Sequence, residues 1–384
     1  MNLAGSRVVL VLCEYPTLNG GERSLLAALP SLIQAGFRTK VAAPATGPLS
    51  EELARQGIEH VSFSSRDSAG VNIERDQARA NLRQLLIQTK PALLHANSLS
   101  MGRLSGPVAT ELSLPSIAHL RDIVGLSAAA VADLNRHTRL IAVSEATRAF
   151  HIAQGVSAEK TTVLHNGVDL QLFRPRERLG GNLALRPKLD WPADALVAGT
   201  IGQIILRKGQ DVLARAAARL ARDEDVSKLH WIIVGQRHSS KPETVAYEQT
   251  IERTFAEAGL CHRVAFMVAC SDVPTLLGEF DMLVHPARQE PLGRVLLEAA
   301  GAGLPIVATA VGGTREILTE DSAVLVPPDD EAVLADAMRR LATTPSLRVN
   351  LGKAARQRAE QHFDARLSGE RLAAIYRAVL DTVL

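Results

Sequence analysis

Short apolar runs alternate with helix-length amphipathic stretches along almost the whole chain, and one interruption divides the alternation into two series. Residues 8–13 read as a strand, followed by a Gly-Gly turn and a helical pattern over 22–34. Runs at 40–43, 60–63, 92–95, 116–119 and 140–143 continue the first series. Residues 173–194 carry three prolines, two adjacent glycines and several charges, and read as a linker. The second series follows at 197–201, 229–234, 264–266, 282–284, 305–308 and 323–326. Such alternation predicts parallel strands joined by crossover helices, hence two doubly wound α/β domains of about 170–190 residues each. Ligands bind such sheets at the carboxyl ends of the strands, and a cleft between the two domains is the expected site. The last segment, 366–384, is an amphipathic helix with no strand after it; one reading packs it back onto the first domain.

Charge and cysteine usage narrow the function classes. A net charge of +2 gives no reason to expect nucleic acid as a partner. The stretch before residue 191 holds 21 Lys+Arg against 16 Asp+Glu, a balance of +5, and the remainder 22 against 25, a balance of −3. The mildly basic first half suits an acidic or membrane-borne acceptor, and chance fluctuation explains it equally. Three cysteines, Cys13, Cys261 and Cys270, are too few for a disulfide framework. No leader pattern opens the chain, and no run approaches the roughly 18 apolar residues of a membrane span. A cytoplasmic location is expected, with peripheral contact at the inner face of the membrane left open. Arg75, Arg79 and Arg83 fall on one face of a predicted helix over 72–89, either a solvated face or a docking patch for anionic lipid.

The most specific signal is Glu290-Pro-Leu-Gly-Arg-Val-Leu-Leu-Glu298, directly after the strand at 282–286. Helix is predicted from Arg294, which puts Glu290 in the preceding loop and Glu298 about a turn or more inside the helix. Backbone N–H groups around Gly293 and Arg294 then form an anion-binding helix start. Two separated carboxylates around that start suit a sugar and a ribose flanking a diphosphate; the bland alternative is a helix cap and a solvated glutamate. Glycines also mark other strand ends: Gly199 to Gly209, with Arg207 and Lys208 before the next helix; Gly235; Gly312-Gly313; and Gly20-Gly21 in the first half. Close backbone approach with positive charge is what a diphosphate needs.

On these residues the chain resembles the family-four GT-B glycosyltransferases. The Glu, seven residues, Glu pattern is similar to the family signature, and Gly20-Gly21-Glu22 to its first-domain glycine loop. His119-Leu-Arg-Asp122, Ala142-Val-Ser-Glu145 and His165-Asn-Gly-Val-Asp169 resemble later first-domain motifs. Residues 201–211 look like its phosphate loop. The resemblance implies a GT-B fold, two tandem Rossmann-like domains facing a cleft: residues 1–186 for the acceptor, with 366–384 packed back onto them, and 187–365 for the nucleotide-sugar donor. It implies a retaining transfer of a hexose-type sugar from a nucleotide diphosphate, without metal or other cofactor. Glu298 would hold the ribose and Glu290 the sugar. Lys208 would neutralise the leaving diphosphate, and His119 would contact the sugar. Gly20, Gly21, Gly202, Arg207, Leu292, Gly293 and Arg294 would complete the donor site. Gln203 stands where the family's loop usually carries Arg; a neutral amide cannot replace that charge, so either Arg207 compensates or Lys208 acts alone.

Two other function classes fit the same fold, a nucleotide-sugar epimerase or hydrolase and a non-catalytic nucleotide-sugar-binding protein. Asp223-Glu224-Asp225 matches the Asp-x-Asp metal motif of the other glycosyltransferase fold but follows a helix end, where a solvated turn is expected. Cys261-His262 with Cys270 lacks paired zinc spacing. The nucleotide base, the sugar and the acceptor are not legible.

Overall fold

A computed structural model describes residues 7–67, 69–175, 184–268, 270 and 272–382. The chain divides into two compact units, residues 1–167 with 365–384, and residues 168–364.

The first unit is built on seven parallel strands, β1 (Val8–Leu12), β2 (Arg38–Ala43), β3 (Glu59–Ser62), β4 (Leu93–Ala96), β5 (Ser116–Leu120), β6 (Arg139–Ala142) and β7 (Thr161–Val163), in the order β3-β2-β1-β4-β5-β6-β7. The second has six, β8 (Leu196–Ile201), β9 (Leu229–Val234), β10 (Val264–Met267), β11 (Met282–His285), β12 (Ile306–Thr309) and β13 (Val324–Val326), in the order β10-β9-β8-β11-β12-β13. Neighbouring strands in both sheets pair in parallel. Central strands such as β4, β5 and β9 are buried along their full length. Helices cover both faces of such sheets, which is why these strands were readable as unbroken apolar runs. In both sheets the strand order reverses beside the first strand, between β1 and β4 and between β8 and β11. That reversal leaves a crevice at the carboxyl ends, the usual ligand position of open α/β sheets.

The crossing from one unit to the next lies after Gly167, earlier than the sequence pattern suggested. Val168 N–H donates to Phe363 O at 2.8 Å, and Val168, Leu170 and Phe173 pack against Gly301. Apolar side chains thus tie this segment to the second unit. Within the stretch read as a linker, residues 176–183 lie outside the described residues, whereas residues 184–194 are folded. A short helix, Leu185–Lys188, carries Arg186, which is buried and bonded to Asp281 at 2.6 Å and Glu279 at 3.4 Å. Two carboxylates offset the cost of burying the guanidinium. Trp191 packs on His230, ring centroids 4.6 Å apart. The C-terminal helix, Ala365–Asp381, lies on the first-unit helix Gly20–Gln34; Leu372, Tyr376 and Val379 enter the first unit's core. Gly369 sits so close to Ser31 that a Cβ there would lie 2.6 Å from the Ser31 Cβ. No helix among the described residues is long and apolar enough to cross a membrane.

Candidate functional site

In the second unit, the segments after β8 and β11 meet at the reversal of strand order. After β8 the chain passes Gly202 and Gln203 into a 3-10 turn, Leu206–Lys208, and ends in Gly209 at φ +69°. A Cβ at Gly209 would overlap the Pro286 carbonyl oxygen, so only glycine lets this turn seat against the end of β11. After β12, Gly312 (φ +50°) and Gly313 come equally close to the loop that carries Glu290. Gly313 N–H donates to Glu290 O at 2.9 Å, and a Cβ on Gly312 would overlap that same oxygen.

These close approaches set a buried charge cluster. Lys208 Nζ lies 2.5 Å from Glu290 Oε2, and His285 Nε2 lies 2.7 Å from the same oxygen. Glu290 is 5% exposed. Burial alone would raise its carboxyl, but the Lys208 charge and the His285 hydrogen bond hold it well below the usual carboxylate range. Burial keeps His285 below its ordinary value, with the Lys208 charge acting in the same sense and the Glu290 bond against it. His285 is therefore neutral near pH 7 and donates from Nε2 to the carboxylate. The sequence pattern had Glu290 and Lys208 addressing separate parts of a substrate; here they are also each other's partners, which fixes both side chains.

Glu298 is buried in the helix Arg294–Gly301, with Arg294 Nε 2.8 Å from its Oε1. Gly293, at φ +105°, caps that helix, and the Leu292 side chain is buried behind the turn. Arg207 makes no ion pair or side-chain hydrogen bond among the described residues, whereas Arg288, not singled out from sequence, is the tie between the two loops. It forms a two-pronged bond to Asp211 (2.7 Å at each prong), donates to Leu206 O at 2.7 Å, and reaches Asp329 at 2.6 Å. Only its place shortly beyond the end of β11 hinted at a role.

In the first unit, Gly20 and Gly21 open the 15-residue helix after β1. Arg121 joins three motifs that the sequence separated. It donates to Asn97 O (2.8 Å), Asn97 Oδ1 (2.7 Å) and Asn166 Oδ1 (2.9 Å), and its Nη2 lies 3.2 Å from His119 Nδ1. Asn97 Nδ2 donates to Gly21 O at 3.2 Å, and the Arg121 stem packs on Gly21. His119, on β5, is 3% exposed; His95 Nε2 lies 3.1 Å from its Nδ1, and its own Nε2 is buried with no partner among the described residues. His95 and Tyr376 were not found from sequence; a histidine ending the apolar run of β4 was the only available signal. Ser144 caps the helix Glu145–Ile152 through Thr147 N–H at 2.9 Å, a structural role for that motif.

Burial of two histidines is expected to make the first unit acid-sensitive. His95 is pushed down to about 3, by burial and then by the Arg121 charge, and His137 to about 4, mainly by burial. Both folded values lie below the unfolded value of about 6.5, so at pH 7.5 neither affects stability. As pH falls through 6.5 the unfolded chain binds protons that the folded chain refuses. Stability should then drop by about 1.4 kcal/mol per histidine at pH 5.5. Glu22, whose carboxyl burial raises, opposes this by one group. Urea denaturation at the two pH values checks it; equal midpoints would contradict the assignment.

The other candidates resolve into surface structure. Arg79 pairs with Asp133 at 2.9 Å and Arg83 with Glu111 at 2.5 Å, so two of the three arginines on the helix Arg75–Thr89 are neutralised within the chain. Asp223 and Asp225 lie at a 3-10 turn, both held by Arg339, at 2.8 and 2.6 Å.

Comparison with known proteins bears on both units. The model for "Glycosyl transferases group 1" matches residues 182–358, and that for "Glycosyltransferase Family 4" matches residues 18–172. A D-inositol 3-phosphate glycosyltransferase of Thermomonospora curvata is 32% identical over 257 residues, 64% of this chain and 58% of the relative. The corresponding protein of Saccharomonospora viridis is 33% identical over 219 residues, 56% and 49% of the two chains. The chain thus spans about half the length of the curated relatives it matches. Among solved structures, HepE of Anabaena, in complex with UDP and glucose, aligns with a TM-score of 0.82 at 24% identity, covering 96% of this chain and 99% of that one. Sucrose-phosphate synthase of Thermosynechococcus elongatus aligns with a TM-score of 0.78 at 20% identity, covering 98% and 100%. At these identities the structural likeness shows the GT-B fold alone.

Proposed function

The chain belongs to the group 1, family-four glycosyltransferases, and from that premise we propose that it moves a sugar from a nucleotide diphosphate to an acceptor hydroxyl. The observation that carries this reading is the buried Lys208–Glu290–His285 cluster at the strand-order reversal of the second sheet. A departing diphosphate needs a fixed cation, and Lys208 is a cation held in place by its carboxylate. Glu290, ionised and hydrogen-bonded, accepts sugar hydroxyls near the reacting carbon. Glu298, held by Arg294, accepts the ribose hydroxyls. In the second unit the N–H groups at Gly293 and Arg294 receive phosphate oxygens, and Gly202 leaves the backbone bare beside Lys208; the N–H groups at Gly20 and Gly21 are the first unit's own anion-binding helix start. Arg207, with no ion pair among the described residues, supplies the second cation that Gln203 lacks. From the first unit His119 donates from Nε2 to a sugar hydroxyl.

With both cations in place the diphosphate needs no metal. A leaving phosphate that accepts the acceptor's proton on the same face gives retention of anomeric configuration. HepE binds UDP and UDP-glucose, so UDP-sugars are the first donors to test. Calorimetric titration with UDP, GDP and ADP, then turnover of a donor panel in EDTA with NMR of the product anomer, tests the whole reading. Hydrolysis or epimerisation of the donor without acceptor would favour the other enzyme classes. Failure of all three nucleotides to bind would reject the site.

A further inference from the structure

The hydrogen-bond directions around His119 are determined by one group that can only donate. A guanidinium has no acceptor, so Arg121 Nη2, 3.2 Å from His119 Nδ1, requires a lone pair on that nitrogen. A lone pair on His95 Nε2, 3.1 Å from the same Nδ1, would repel that one, so His95 carries its proton there and shares the acceptor with Arg121. His95 Nδ1 is thereby left as an acceptor, and Tyr376 Oη, 2.6 Å away, donates to it. Neutral His119 has only Nε2 left for its own proton. That N–H is the buried donor without a partner among the described residues. Such a group costs about 1–3 kcal/mol unless a ligand accepts from it.

We propose that Tyr376 and His95 are positioning residues, a two-step hydrogen-bond relay that holds the ring of His119, whose tautomer Arg121 sets, turned to present its Nε2 proton to substrate. The inference rests on the reading of His119 as a substrate-contacting residue. It gives the C-terminal helix a part in the site: Tyr376 is 281 positions from His95 and fully buried. Its ring also packs edge-on against Phe37, centroids 5.3 Å apart, and Phe in its place keeps that contact while losing only the hydroxyl. Without the Tyr376 hydroxyl, His95 keeps its proton on Nε2, because a proton moved to Nδ1 would find no acceptor and would set two lone pairs face to face at His119. The His95 ring loses the bond that holds it, and the His119 ring that leans on it turns.

Long-range proton–nitrogen NMR of the full chain with 15N-labelled histidine reads the tautomers directly, with peaks assigned from H95Q and H119Q. In the wild type both His95 and His119 are expected to be neutral with the proton on Nε2. In Y376F both should keep the proton on Nε2, with the His95 Nδ1 resonance shifted by loss of its donor and the His119 signals moved by the turned ring. The kcat for sugar transfer should fall about tenfold, the worth of one buried hydrogen bond, with the donor KM changed less than about twofold. H95Q sets an amide N–H near the position of Nε2 and should retain the wild-type His119 pattern and most of kcat; H95L should lose both. A wild-type His95 protonated on Nδ1 would overturn the relay without any variant. So would His119 signals unmoved in both Y376F and H95L. Wild-type tautomers as expected, with no sugar turned over, would support the relay and overturn the functional reading instead.

Discussion

Lys208→Ala is expected to lower kcat for sugar transfer by about a hundredfold or more, because under the proposed function it removes the fixed cation that meets the charge developing on the leaving diphosphate. The same change strands Glu290, a carboxylate with 6% side-chain exposure, without its cation. Breaking a buried pair from one side costs about 3–5 kcal/mol, although here His285 still donates to the carboxylate and softens the loss. Glu290 would respond by binding a proton at higher pH than before. Stability that its depressed pKa now supplies above the ordinary carboxylate range, and that is lost only on strong acidification, would shrink. Glu290→Gln makes the complementary cut: it keeps an acceptor for His285 but removes the charge opposite Lys208. Its kcat should fall by a comparable factor, about a hundredfold, with less loss of stability. Steady-state kinetics with the best donor, alongside thermal melts, separates the two variants. Turnover close to wild type in both would remove this cluster from the mechanism.

Gly209→Ala is expected to destabilise the second unit by roughly 4 kcal/mol or more, a fall in melting temperature on the order of 10 °C. Two effects add. A left-handed backbone costs a residue with a Cβ about 1–2 kcal/mol, and that Cβ would overlap the carbonyl oxygen of Pro286. The second effect is the larger, because the obstacle is backbone at the end of a buried strand and cannot swing aside. Gly259 is the internal control: it has φ +72° in the same unit and nothing within 4 Å of a Cβ. Gly259→Ala should therefore show the backbone cost alone, about 1 kcal/mol. Equal melting temperatures for the two alanine variants would mean that the turn does not need its close seat on Pro286. With the seat lost, Lys208 is displaced too, so Gly209→Ala should also lower donor affinity.

The strands were legible because the sheets are buried on both faces, which makes a strand a run of consecutive apolar residues rather than an alternating one. β7 escaped notice for the opposite reason: Thr161-Thr162-Val163 is a three-residue edge strand with little apolar content. The helix read over 72–89 starts at Arg75, because Glu74 accepts from the N–H groups of Asp76 and Gln77 and ends the preceding loop. Within the segment read as a linker, residues 184–194 misled through their composition. Proline and charge suggest solvent, yet Arg186 takes its charge into the interior because Asp281 and Glu279 wait there, 95 and 93 residues away.

Near neighbours along the chain suffice for the strand and helix periods, the glycine turns at strand ends, the helix start at Arg294 and the order of motifs that marks the family. Those signals are local because backbone conformation and one-sided burial are settled within a few residues. Which charges and protons meet was set by the folded chain alone. Lys208 finds Glu290 82 positions on, Arg288 reaches back 77 to Asp211, and Tyr376 closes on His95 across 281. Pairing strength depends on distance through space and on exclusion of water, and neither is written in sequence spacing.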